Sequence, residues 1–168
     1  AVTHCPHSNK TLASGLCPAC DLQNAGSAVG LGVDGSASND ASNAIEEVRA
    51  AMMLQRLRHG AGGFSHLDAI HLATQGSAQC LGRDDIGSIA IGKQADLALF
   101  RLNELRHSGY DDPIAALVLC GASRADRVMI AGKWKVIDGQ VSHINEADLI
   151  RRHTTAAREL RAKSGLAK

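Results

Sequence analysis

Aromatic side chains are almost missing from this 168-residue sequence, which holds only Phe64, Phe100, Tyr110 and Trp134. So few rings leave little on which single-stranded nucleic acid could stack. Charge of one sign is not in excess either. The formal net charge is +1, which excludes a strong field for nucleic acid or an anionic membrane surface. No apolar run approaches the roughly 20 residues that a membrane-spanning helix needs. Residues 1–5 have neither a basic start nor a long apolar stretch, so they do not read as a signal peptide. They also lack an initiator Met and read as the middle of a strand, as if the chain had been cut upstream. The five cysteines (Cys5, Cys17, Cys20, Cys80 and Cys120) are odd in number, which argues against a disulfide framework and makes the cytoplasm the expected compartment.

What is present is enough for a folded unit. Apolar residues make up 45% of the chain, and a chain of this length can bury roughly two-thirds of its unfolded surface. Residues 1–5 read as a strand ending at Pro6, followed by a polar loop over residues 7–20 and about one helical turn over 21–25. Val29-Gly30-Leu31-Gly32-Val33 is short, apolar and punctuated by glycine, so it reads as a buried strand ending at Asp34. Residues 35–40 are small and polar and form a loop by composition. Asn43 with Glu46 predicts a capped helix to about residue 59, and Ser65 with Asp68 a second one to about residue 81.

The character then changes to small strands. Residues 88–91 and 95–100 read as two strands joined at Gly92-Lys93. Asp112-Pro113 starts a short helix, residues 127–131 and 133–137 form a hairpin, and Asp138-Gly139 is a tight turn. Asn145 with Asp148 caps a last helix to about residue 162 with a thin apolar stripe. Its arginines (Arg151, Arg152, Arg158 and Arg161) read as a solvated face.

Two places carry chemistry. The first is Val33-Asp34-Gly35-Ser36, a carboxylate at the C-terminal end of a strand. In an α/β barrel, catalytic groups gather at that position, and a carboxylate there can bind a divalent metal or move a proton. On pattern alone, the reading of Asp34 as no more than a turn cap is the favoured one. The second is Cys17-Pro18-Ala19-Cys20, with zinc-knuckle spacing and His4 or His7 as conceivable further ligands. No second such pair exists to complete it. His59, His66 and His71 read as surface or helix-end residues, while His107, His143 and His153 have no evident partners. No P-loop, GxSxG or GxGxxG occurs where it would need to be.

Taken in series, these residues resemble a family. His4-Cys5-Pro6-x-Ser8-Asn9 with Leu12-Ala13-Ser14-Gly15 is similar to the seventh strand and following loop of the aminohydrolase branch of the amidohydrolase superfamily. Val29 through Gly35 resembles the eighth strand. Ala73-Thr74 with Gly76-Ser77-Ala78 resembles the helix that leaves the barrel. Gly87-Ser88-Ile89 to Gly92-Lys93-x-Ala95-Asp96-Leu97 resembles the adjoining small β-domain. Within the branch, Ser8-Asn9 and Gly35 through Asp40 most resemble 8-oxoguanine deaminases and their guanine- and triazine-processing relatives.

The resemblance implies an α/β fold: the last two β/α units of a TIM-type (β/α)8 barrel over residues 1–82, part of a small β-sandwich-like domain over 83–143, and a C-terminal helix over 144–168. It implies a fragment of a zinc-dependent aminohydrolase that deaminates a purine-like heterocycle and releases ammonia. Asp34 would be both metal ligand and proton carrier, and Gly35 and Ser38 would shape the substrate pocket. Alternatives are a chlorohydrolase or cyclic amidohydrolase of the same superfamily, or a non-enzymatic zinc module built on Cys17 and Cys20. The family's other zinc ligands lie on its first, fifth and sixth strands, so their partner would be the missing N-terminal part of the barrel. A small heterocyclic substrate, homo-oligomerisation when complete, and little activity from this chain alone are expected.

Overall fold

The computed structural model describes residues 1–122 and 124–165. Strand β1 (Val2–His4) is followed by helices α1 (Pro6–Thr11) and α2 (Ala19–Asn24) and strand β2 (Val29–Leu31). Then come α3 (Ala44–His59) and a helical run made of α4 (His66–His71), a π-helical turn (Leu72–Gly76) and α5 (Ser77–Cys80). Strand β3 (Leu97–Leu99), a 3-10 turn (Leu105–His107), α6 (Pro113–Cys120), strands β4 (Arg127–Ile130), β5 (Lys133–Ile137) and β6 (Gln140–Val141), and α7 (Glu146–Lys163) complete the chain. No described helix is long and apolar enough to cross a membrane.

β1 and β2 pair in parallel, with Val2 opposite Val29 and His4 opposite Leu31. Parallel neighbours need a crossover, and here α1 and α2 supply it. The expectation of a loop over residues 7–20 is therefore corrected at its start. Pro6 sits at the first helical position, where its missing N–H costs nothing, and Asn9 N donates to Cys5 O at 2.9 Å.

The core lies between β2, α3, the 66–80 helical run and α6. Met52, Leu72, Val29, Val118 and Ala19 are buried in it, with Phe64 as its aromatic member. β2 and the helical run approach backbone to backbone, which only glycine permits. A Cβ on Gly76 would stand 2.2 Å from Val29 O, and one on Gly30 would stand 2.7 Å from Ser77 Cα. Ser77 Oγ accepts from Leu31 N at 3.1 Å and lies 2.9 Å from Leu72 O. The π turn falls at this contact, so the single α-helix expected over 65–81 has a wider turn at its middle.

Cap chemistry is as the sequence suggests in two cases and simpler in a third. Ser65 and Asp68 form a reciprocal capping box, and the Asn145 side chain accepts from Asp148 N at 3.0 Å. Asn43 caps α3 by accepting from Ile45 N, without Glu46 closing a box. His66, at the start of α4 as a helix-end residue, pairs with Asp112, the cap of α6, at 2.9 Å. His107 is buried, with Nε2 3.2 Å from Gly121 O.

The second sheet is antiparallel in the order β3-β4-β5-β6. Its two tight turns, Ala131-Gly132 and Asp138-Gly139, both have positive φ at each central residue, the form that matches strand twist. Arg101 ties the sheet's ends together through Asp126 at 2.5 Å and Asp138 at 3.3 Å. The strand expected over 88–91 is not formed. Lys93 N bonds back to Ala90 O, Gln94 N to Asp85 O, and Arg83 grips both Asp85 and Gln94. The segment closes on itself as a loop, with Ile89 and Ile91 fully exposed. A strand needs a neighbour for its backbone groups, and among the described residues none flanks it. α7 likewise has no buried residue.

The glycine contact yields a test. Gly76→Ala should destabilise the fold by about 1–3 kcal/mol, the usual range for overpacking, whereas Gly62→Ala, which meets open space, should shift stability by no more than about 0.5 kcal/mol. Urea midpoints compare the two, and equal midpoints would refute the backbone contact.

Candidate functional site

β2 delivers Asp34 just beyond its C-terminal end, and the backbone there turns left-handed, with φ +63° at Asp34. Asp tolerates this region better than most residues, at a cost of about 1 kcal/mol. Local bonds hold the turn. Gly35 N donates to Asp34 Oδ1 at 2.7 Å, and Asn39 Nδ2 donates to Val33 O at 2.7 Å.

α1 brings the second component. Ser8 is buried, with its hydroxyl 2.6 Å from Asp34 Oδ2 and 2.8 Å from Ser38 Oγ. A hydroxyl has one proton to give. With the Ser8 proton on the carboxylate, the Ser38 proton fills the Ser8–Ser38 contact. Ser38 Oγ also stands 3.4 Å from Asp34 Oδ2 and 3.3 Å from Gly35 O. The Asp34 carboxyl is held below the usual carboxylate range, first by the Ser8 hydroxyl, then by the Gly35 amide, with Ser38 adding a smaller effect. Asp34 is thus an exposed, charged carboxylate with fixed orientation. It can accept a proton or ligate a cation.

The three residues expected from sequence are placed differently. Asp34 and Gly35 are exposed at the strand end, while Ser38 is buried with its hydroxyl turned toward Ser8 and Asp34. Ser8, Asn39 and Glu47 complete the cluster, and sequence reasoning did not give them these roles. Glu47, in the first turn of α3, is 1% exposed. Its Oε2 accepts from His7 N at 3.0 Å and its Oε1 accepts from Asn39 Nδ2 at 2.7 Å, while His7 Nδ1 lies 2.9 Å from Oε1. The only available signal was position: a second acidic residue, after Glu46, in the first turn of the helix that follows the loop.

His4, on β1, is 2% exposed, and neither ring nitrogen has a hydrogen-bond partner among the described residues. Burial lowers its pKa, partly offset by the charge of Glu47. The Cys5 thiol is pushed up by burial and then by the charges of Asp34 and Glu47. Cys17 and Cys20 pack against the core, and burial raises both thiols. No third ligand joins them, and no group of three or more His, Cys, Asp or Glu side chains suited to a metal occurs among the described residues. A cleft of about 520 Å³ lined by Gly139, Val141, Ile144 and Leu149 involves none of the site residues.

Two tests follow. Ser8→Ala should raise the Asp34 pKa toward the ordinary carboxylate value, read by carboxyl carbon NMR, and an unmoved midpoint would mean that the Ser8 bond is not made. The unfolded chain protonates His4 in the ordinary imidazole range while the folded chain resists it. Stability should therefore fall as pH drops through and below about 6.5. His4→Leu should shrink that fall between pH 7.5 and 5.5 in urea titrations, and an identical fall in both proteins would remove His4 as its source.

The amidohydrolase family model matches residues 1–135. The chain is 59% identical over 159 residues to the 8-oxoguanine deaminase of Pseudomonas aeruginosa, an alignment covering 95% of this chain and 35% of that protein. It is 35% identical over 175 residues to an isoxanthopterin deaminase from an unknown prokaryotic organism, covering 95% and 36%. Among solved structures, a zinc-bound adenosine deaminase from Xanthomonas campestris superposes with a TM-score of 0.90 at 35% identity, covering 96% of this chain and 37% of that one. An atrazine chlorohydrolase from Arthrobacter aurescens complexed with zinc gives 0.85 at 31% identity, covering 92% and 35%. The chain spans about a third of the length of these relatives.

Proposed function

The chain belongs to the amidohydrolase family, and from that premise we propose that it forms the C-terminal part of a zinc-dependent aminohydrolase acting on a purine-like heterocycle of the 8-oxoguanine or guanine type. The observation that carries the reading is Asp34: a charged carboxylate held by Ser8 and Gly35 at a strand end, on a chain 59% identical to an 8-oxoguanine deaminase. In this reading residues 1–82 are the last two β/α units of a (β/α)8 barrel, 83–143 belong to the small β-domain, and 144–168 form the terminal helix.

The donor set fits a metal in part. Asp34 presents an exposed carboxylate with the hardness that a divalent cation accepts. A catalytic zinc needs about three protein ligands, and the remaining ones would come from outside this chain. Zinc, when bound, supplies a Lewis acid that makes water a nucleophile near neutral pH. Asp34 would hold the metal, and its carboxylate would take the proton that the attacking water gives up. The water oxygen bonds to the ring carbon carrying the amino group, and the carbon–nitrogen bond breaks. Asp34 then passes the proton to the departing nitrogen, which leaves as ammonia. Ser8 keeps the carboxyl group aimed throughout, and holds it charged until it takes the proton. Gly35 lies on the exposed side of the turn, where it would meet substrate, and Ser38 would act on the pocket from beneath through Ser8 and Asp34.

A second reading, chlorohydrolase chemistry on a triazine, draws on the Arthrobacter structure. Its 31% identity, against 59% for the deaminase, favours ammonia as the leaving group.

A chimera tests the proposal: this chain replaces the equivalent third of the Pseudomonas 8-oxoguanine deaminase. The chimera should bind zinc and release ammonia from 8-oxoguanine or guanine, whereas residues 1–168 alone should do neither. Asp34→Ala in the chimera should lower kcat by about 10²–10⁴-fold, the range for a lost general acid–base group. Full activity in that variant would overturn the role of Asp34. Stoichiometric zinc in the isolated chain that survives Asp34→Ala but not Cys17→Ala would instead favour a structural zinc module.

A further inference from the structure

We propose that Glu47 is a positioning residue: a buried carboxylate that fixes Asp34 by tying the start of α1 to the loop after β2. The inference rests on the reading of Asp34 as the reacting carboxylate, but its geometry is independent of any metal.

Among the described residues Glu47 makes no hydrogen bond to Asp34 or Ser8, yet it holds the segments that carry both. On one side, its Oε2 accepts from the backbone N–H of His7, the residue before Ser8, and His7 Nδ1 lies 2.9 Å from Oε1. On the other, its Oε1 accepts from Asn39 Nδ2, and the same amide group donates to Val33 O, immediately before Asp34. Asn39 Oδ1 accepts from Ser42 N at 3.3 Å, closing the far end of the loop. The loop is one that would relax without such a hold, since Asp34 and Ser42 both have positive φ, at +63° and +44°. Left-handed backbone at non-glycine residues persists only where the surroundings over-determine it.

The choice of a carboxylate follows from the donors. Both groups that face Glu47 at bonding geometry, a backbone amide and a side-chain amide, are donors, and a carboxylate offers an acceptor to each. A glutamine in its place has one acceptor oxygen, so it can keep either His7 N or Asn39 Nδ2 and must turn its own NH2 against the other. At 1% exposure no bulk water is at hand to take up the orphaned donor. One of the two segments is then released, and with it the 2.6 Å contact between Ser8 and Asp34.

The effect of such a release is specific. Asp34 would stay in place chemically but lose its fixed aim, so turnover suffers more than substrate binding. The experiment uses the chimera described above, with Glu47→Gln, Asn39→Ala and the double variant. Peptide-resolved hydrogen exchange should show about tenfold faster exchange over residues 5–12 or 33–42 in Glu47→Gln, with residues 126–138 unchanged. In the same variant kcat should fall about tenfold while KM stays within about threefold. The double variant should be no slower than the slower single one, because both act on one linkage. Exchange that rises equally at 126–138 would reduce Glu47 to a general stabiliser and overturn the proposal, as would a kcat equal to the parent's. If the parent chimera releases no ammonia, the deaminase reading fails while the exchange pattern still decides whether Glu47 clamps the two segments.

Discussion

The contact between β2 and the helical run after α3 is made through backbone atoms, and everything at the site hangs from it. Gly30 and Gly76 let a strand and a helix approach until their main chains touch. Ser77 then bonds across to Leu31. This fixes the height and tilt of β2, and its end determines where Asp34 stands. A side chain at either glycine would push the strand outward, and the Ser8–Asp34 contact spans only 2.6 Å. The π turn at Leu72–Gly76 is the local consequence of the same approach, because the helix widens where it meets the strand.

Two carboxylates share this corner of the molecule and are stabilised by opposite means. Asp34 is exposed, and directed hydrogen bonds rather than burial set its charge and orientation. Glu47 is buried and faces donors on both sides. A buried carboxylate without such donors would be costly, so its surroundings have to be built around it. The exposed one keeps outward lone pairs available for a cation or a proton. Burial and reactivity are thereby divided between two residues.

Much of the architecture was legible. The glycine-punctuated strand before Asp34 (three residues long, ending at Leu31 rather than running to Val33), the caps at Asn43, Ser65, Asp112 and Asn145, and the 127–137 hairpin each have a local cause that a sequence displays. The site was legible only at Asp34 and its loop. Ser8, Asn39 and Glu47 enter one network because β1 and β2 are parallel neighbours and α3 packs against α1, a relation between residues up to 40 positions apart. No local pattern encodes that. α1 was missed because one Pro-initiated turn of polar residues looks like a loop in composition. The strand expected over 88–91 failed for the opposite reason: its alternation is right, but a strand is a property of a pair.

Apolar side chains also stand exposed outside the Asp34 cluster. Ile89 and Ile91 stand fully exposed on a loop with strand-like alternation, and α7 presents Ile150 and Leu160 largely to solvent, with Leu149 half covered. Isolated exposed apolar residues are ordinary, but a strand pattern without a partner and an 18-residue helix without a buried residue are not. Neither feature takes part in the hydrogen bonds that hold Asp34. Apolar surface of this kind is what a neighbouring segment or a partner covers.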